Sequence, residues 1–154
     1  MSQFEIEEVE LTPQPALVIK FTSTPQTLGD KLGRHFPAIF QYAQAENLTL
    51  TGMPFVRYLE MTDVFTVEAG MPVAETGDGA GEGDIYVTEL AGGSAITTDY
   101  HGPYDGLGAA HEALRTWAID HGYQPEWGGW EIYETDPGSE PDSSKWLTRV
   151  YLSL

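Results

Sequence analysis

A chain of 154 residues with ordinary apolar content is long enough for one domain, or two closely fused halves, around a real core. Its formal net charge of −17, with only seven Lys and Arg, repels nucleic-acid phosphate and argues against direct DNA or RNA binding. It has no Cys, so disulfides and thiolate metal sites are excluded, no apolar run approaches the roughly 20 residues that cross a bilayer, and the start lacks the basic and apolar blocks of a secretion signal, so the cytoplasm is the expected location.

Phe4 to Leu11 alternates like a strand, and Ala16 to Phe21 forms a second strand after the Pro13-Gln14-Pro15 turn. A helix is expected from Thr27 to Glu46, with Leu28, Leu32, Phe36, Ile39, Phe40 and Ala43 at helical spacing and a kink or break at Pro37. Strands follow at Phe55 to Met61 and Val64 to Ala69. The stretch 75–83 is Gly-rich and acidic, suited to a flexible connection. Asp84 to Leu90 and Ser94 to Tyr100 read as a hairpin across Gly92-Gly93. A second helix, Asp105 to His121, carries Leu107, Ala110, Leu114, Trp117 and Ala118 on one stripe, with Asp105 as its N-cap and Gly122 as its stop. Gly129 to Glu134 and Trp146 to Leu152 complete the strands.

The order of elements therefore occurs twice, in pseudo-repeats of about 1–74 and 84–154 within one domain, 1–154. Tyr58 and Tyr133 are 75 positions apart, and the same spacing matches Asn47 to Gly122, Phe55 to Trp130 and Val56 to Glu131. The expected fold is α+β: duplicated β-β-α-β-β units forming two helix-backed antiparallel sheets around a central cleft, with a pseudo-twofold axis.

Alternation along Trp130-Glu131-Ile132-Tyr133 puts Glu131 and Tyr133 on the face opposite Trp130 and Ile132. If that face lines the cleft, it presents Val56, Tyr58, Glu60, Glu131 and Tyr133. Tyr100, Tyr104 and Trp127 lie near element ends and could close the rim, and Trp146 could stack from the last strand. Rings around one carboxylate suit a flat lipophilic cation, each contact contributing about 0.5–2 kcal/mol. Pattern alone leaves Glu131 open between this role and a solvated sheet-edge position. The four histidines form no metal-binding spacing: His111 and His121 are almost three helical turns apart. There is no hydrolase Ser elbow and no nucleotide-binding glycine fingerprint, so neither a cofactor nor a metal is expected.

Tyr100-His101-Gly102-Pro103-Tyr104, the helix ending at Gly122, and Trp130 to Tyr133 followed by Asp136-Pro137 together resemble the GyrI-like small-molecule-binding family, the effector-binding module of AraC- and MerR-type regulators. The resemblance implies a central cleft for lipophilic, often cationic compounds, with Glu131 pointing into it. It also implies aromatic walls, for which Tyr58, Tyr104, Trp127 and Tyr133 are the candidates. About fifteen residues precede the first core strand, too few for a DNA-binding module, so a stand-alone sensing or sequestering domain is expected. Its partners are then a lipophilic cation and, as a further candidate, a separate regulator or target protein; no nucleic acid or membrane is expected. Some family members are described as hydrolases of cyclopropane-bearing compounds, which gives the alternative that Glu131 is a general acid/base.

Overall fold

The computed structural model describes residues 4–24, 26–61, 63–74, 83–90, 92–125, 129–135 and 140–154. Eight strands and two helices follow in the order β1 (Glu7–Leu11), β2 (Gln14–Ser23), α1 (Leu28–Ala45), β3 (Phe55–Met61), β4 (Phe65–Pro72), β5 (Ile85–Leu90), β6 (Gly93–His101), α2 (Leu107–Asp120), β7 (Trp130–Tyr133) and β8 (Leu147–Ser153). Helical spacing located both helices within two residues. Pro37 lies inside α1 without splitting it. A 3-10 turn, Tyr104–Gly106, leads into α2, so the N-cap position belongs to Gly106 rather than to Asp105.

All eight strands form one antiparallel sheet in the order β1-β6-β8-β7-β3-β4-β2-β5. This corrects the expectation of two separate sheets: β3 pairs with β7 through Phe55–Ile132, Val56–Glu131 and Arg57–Trp130, which joins the halves edge to edge. It also corrects the hairpin. β5 and β6 do not pair; β5 pairs with β2, and β1 pairs with β6, so each outer strand crosses to the other half. The two crossing connections touch. A Cβ at Gly92 would lie 2.6 Å from Pro13 Cδ and 2.8 Å from the Leu11 carbonyl oxygen, a space that only glycine fits.

Both helices pack on the same face of the sheet. Ile39 and Ala43 of α1 cover Leu17, Ile19 and Met71. Leu107, Ala110, Leu114 and Ala118 of α2 cover Ile96, Val150 and Leu152. Each fully buried Leu, Ile or Val in these layers contributes about 1.5–3 kcal/mol relative to exposure. Several local geometries recur 75 positions apart. Asn47 and Gly122 end the helices with φ of 57° and 87°. Leu48 N–H donates to the Ala43 carbonyl at 2.8 Å, as Tyr123 N–H does to Ala118 at 2.9 Å. Tyr58 N–H donates to Gly129 at 2.9 Å, and Tyr133 N–H to Pro54 at 3.0 Å, on either side of the Val56–Glu131 pair. Between the helices, above β3 and β7, the sheet is left partly uncovered. Among the described residues no helix is long and apolar enough to cross a membrane.

Candidate functional site

Four residues of β7 divide between two environments because the strand alternates. On the helix-free face Trp130 stacks on Tyr151, with ring centroids 5.2 Å apart and planes 4° from parallel, and Ile132 packs against the Ala16, Val18, Phe55 and Leu90 cluster. On the helix face Glu131 is buried, 2 % exposed. An isolated buried carboxylate costs several kcal/mol, so it requires donors. Two are in hydrogen-bond geometry: the Tyr133 hydroxyl donates to Oε2 and His111 Nε2 lies by Oε1, each at 2.7 Å. A carboxylate has only acceptor sites, so the His111 nitrogen is the donor.

The Tyr58 hydroxyl completes this polar cluster. Burial pushes its ionisation well above the ordinary tyrosine value, and the Glu131 charge and hydrogen bond push it further. Tyr133 is raised well above that value for the same reasons, burial first and the Glu131 charge second. Both phenols therefore stay protonated as donors. The Tyr58 ring stands edge-on to His111, 5.3 Å away and 82° from its plane. The result is one acidic group held by aromatic donors, with no Lys or Arg beside it among the described residues.

This cluster lies at the wall of a cavity of about 1030 Å³, which is the upper end of the size range for drug-sized ligands. Leu28, Leu32, Phe36 and Phe40 of α1 line one side, and Phe65, Met53 and Met71 continue the apolar lining. Tyr104, Leu107 and His111 line the side toward α2. Among the described lining residues Glu131 is the one acid.

Of the sequence candidates, Glu131, Tyr133, Tyr58 and Tyr104 line this cavity. Val56 is fully buried and faces Glu131 across the β3–β7 ladder, but it packs into the cluster beneath α1 and is not in the lining. Tyr100 is not in the lining either. Its hydroxyl donates to the Pro103 carbonyl at 2.7 Å and it packs against the α2 core, which supports the turn carrying Tyr104. Trp146 stands behind that turn, 5.0 Å from the Tyr104 ring, with its indole N–H donating to the Glu140 carbonyl at 2.8 Å. Glu60 is exposed outside the cavity, because a register shift between Tyr58 and Glu60 breaks the alternation that placed it with them. Trp127, Asp136, Pro137 and the stretch 75–82 lie outside the described residues.

Sequence reasoning missed His111, the α1 wall and the further lining residues Met53, Phe65, Met71 and Leu107. Helical spacing reports a buried face and does not distinguish a face against core from a face against a cavity. The 75-residue correspondence did contain His111, since it matches Phe36 as Glu131 matches Val56. The two polar residues occupy the positions where the first half has two apolar ones.

The chain matches the family described as the GyrI-like small molecule binding domain over residues 4–154, and it belongs to that family. The solved C-terminal domain of EcmrR is similar at 26% identity, with 99% of this chain and 98% of that domain covered and a TM-score of 0.86. EcmrR in its DNA-bound transcription complex is similar at 26% identity and a TM-score of 0.83; 97% of this chain is covered, and it spans 56% of the EcmrR chain. A hydrolase from Listeria innocua shares the fold at 12% identity, with 96% and 90% coverage and a TM-score of 0.62. The comparison with curated proteins returned no match.

Proposed function

We propose that this GyrI-like domain binds lipophilic cations in the cavity between its helices, with Glu131 as the counter-charge, and so senses or sequesters such compounds in a drug or transcriptional response. One observation carries this: a buried carboxylate at the wall of an otherwise apolar and aromatic cavity, held by phenols and an imidazole and beside no fixed cation among the described residues. Hydroxyl donors satisfy its lone pairs but leave its charge in place. In a water-poor cavity an uncompensated charge attracts a cation more strongly than it would in solvent. Tyr58, Tyr104 and Tyr133 offer ring surface to the same guest. The apolar α1 wall supplies the area that a multi-ring compound needs.

The duplicated arrangement belongs to this reading. Taking the halves as repeats about the Val56–Glu131 pair, the first supplies an apolar wall and the second a polar one. A domain of this kind reports on its guest when joined to, or met by, a regulator, as the similarity to the EcmrR C-terminal domain supports.

The test is a fluorescence titration of wild type and Glu131→Gln with a cationic dye and a neutral dye of equal size. Trp146, next to Tyr104 at the cavity rim, serves as reporter. The expected outcome is preference for the cation in wild type and its loss in the variant. Equal affinity for the two dyes in wild type defeats the charge assignment.

A second reading draws on the His111–Glu131 hydrogen bond. A carboxylate and an imidazole in contact inside a cavity can exchange a proton with a bound electrophile and water, as general acid/base hydrolysis requires. Incubation with a cyclopropane-bearing electrophile separates the two readings. Turnover by wild type and none by Glu131→Gln favours catalysis; no turnover by either favours binding alone.

A further inference from the structure

We propose that this cavity takes a linear cationic amphiphile, with its positive head group at Glu131 and one extended alkyl chain lying along α1 toward Leu50. The proposal rests on the cation-binding reading and names the ligand class within it. It stands on the length of the cavity and the place of the carboxylate in it. Leu28 and Phe40 both line the cavity and are twelve residues apart on α1, about 18 Å at the rise of a helix. The first turn of α1 packs with Tyr58 and Phe65, and its later turns with Leu50 and Met71. The two ends of the cavity are therefore lined by different parts of the first half.

Val56 pairs with both Glu131 and Ala69, which puts the carboxylate at the level of Ala69 in the sheet. From Ala69 the backbone runs through Met71 to Val73, and Val73 bridges Leu50. That is four residues, about 13 Å along the strand direction. The wall on this side carries Phe40, Leu50, Met53, Pro54 and Met71, none of them charged. A second charged group placed there would lose its water with no counter-charge to replace it, whereas methylene groups gain by burial. The thioethers of Met53 and Met71 are unbranched and adapt their shape to what lies against them.

The extension is one-sided. Val150 pairs with Glu131 as Ala69 pairs with Val56, and Leu152 follows Val150 as Met71 follows Ala69. Leu152 nevertheless packs in the α2 core with Leu114 and Ala118 and does not line the cavity. Arg115 stands where α1 has Phe40, by the same spacing that matches His111 to Phe36, and it does not line the cavity either. The second half closes over its part of the sheet, while the first leaves a channel. A head group with a single chain fits that arrangement.

Calorimetric titration with alkyltrimethylammonium ions from hexyl to tetradecyl, each below its micelle-forming concentration, tests this in wild type, Met53→Trp and Phe40→Ala. An extended chain advances about 1.2 Å per bond, so about ten methylenes fill the channel. Wild type should bind one molecule, about threefold more tightly for each added methylene up to about ten carbons and no more tightly beyond. Met53→Trp should level off about two carbons earlier, because the indole occupies that length. Phe40→Ala removes a ring that is already 42% exposed, and should gain less than about twofold per methylene. Circular dichroism verifies that both variants are folded. Cation affinity that does not change with chain length overturns the channel and leaves the cation reading intact. So does a gain that continues to tetradecyl, or a wild-type profile kept by both variants. Alkyldimethylphosphine oxides of the same lengths separate the two claims, and wild type should bind them at least about tenfold more weakly at every length. Oxides that bind as tightly as the cations and follow the same length profile overturn the cation reading, and with it the charged head, while the channel stands. Binding of neither series overturns both.

Discussion

Among the described residues two glutamates are buried in this sheet, one on each face, and they are held in different ways. Glu68 of β4, on the helix-free face, pairs with the Arg57 guanidinium, whose Nε lies 2.8 Å from Oε1, and also accepts from the Tyr86 hydroxyl. Glu131 of β7, on the helix face, has two phenols and an imidazole around it. Both carboxylates have hydrogen-bond donors, but only Glu68 has a permanent positive charge against it. Glu68 is paired within the sheet and is not among the residues lining the cavity beside Glu131. Glu131 opens on a cavity with no Lys or Arg beside it among the described residues. Burial alone therefore does not distinguish the two carboxylates; the guanidinium beside Glu68 and the cavity beside Glu131 do.

The largest effect should come from removing the fixed cation. Arg57→Ala leaves Glu68 buried and unpaired and should destabilise the fold by about 3 kcal/mol in chemical denaturation, with cation affinity unchanged. A similar loss in affinity for cationic dyes would show that the two carboxylates are not independent. The converse variant, Glu131→Gln, should weaken binding of a lipophilic monocation by about 10–100-fold while changing stability by about 1 kcal/mol. If stability collapses and affinity holds, Glu131 is the structural residue and the contrast between the two faces is lost.

Alkaline titration sharpens the same comparison from the side of the phenols. Tyr58 and Tyr133 ionise well above the ordinary tyrosine value because of burial and the Glu131 charge, and Tyr86 is raised by burial and its bond to Glu68. A group whose folded value is raised stabilises fully below its unfolded value, and that contribution is lost as pH rises toward the folded one. Stability should therefore fall above about pH 10, the unfolded tyrosine value. Tyrosinate absorbance should show these three phenols silent until the protein unfolds. Ionisation of all eight tyrosines in the folded protein near the ordinary value would contradict both hydrogen-bonded clusters.

Tyr133→Phe removes one of the donors to Glu131 and should cost about 1 kcal/mol of stability, with a few-fold change in cation affinity. The smallest effect concerns the helix ends. Asn47 holds a left-handed conformation that Gly122 holds at the matching place. Asn47→Gly should raise stability by a few tenths of a kcal/mol and Gly122→Ala lower it by about 1 kcal/mol, read as shifts in melting temperature.

Part of the cavity wall was legible before any coordinates. Alternation placed Glu131 and Tyr133 opposite Trp130 and Ile132, and the structure agrees. The spacing of 75 aligned Val56 with Glu131, and those residues face one another across β3 and β7. Glu60 was misplaced because a bulge changes the count along a strand without leaving a mark in composition. Tyr100 and Trp146 were read as contact residues, whereas their rings stand near the Tyr104 turn from outside the lining. Element ends are easy to find in a sequence, but the direction a ring takes from such an end depends on what packs next to it.

The chain by itself determined its local elements, the faces of its strands and the stops of its helices, because periods of 2 and 3.6 and left-handed residues act within a few positions. Tertiary structure decided which strands meet: β3 with β7 to make one sheet, and β1 and β5 each with the opposite half. It also decided that a histidine on the apolar stripe of α2 should reach Glu131 twenty positions later. Periodicity says which way a side chain faces; only the folded chain says what stands across from it.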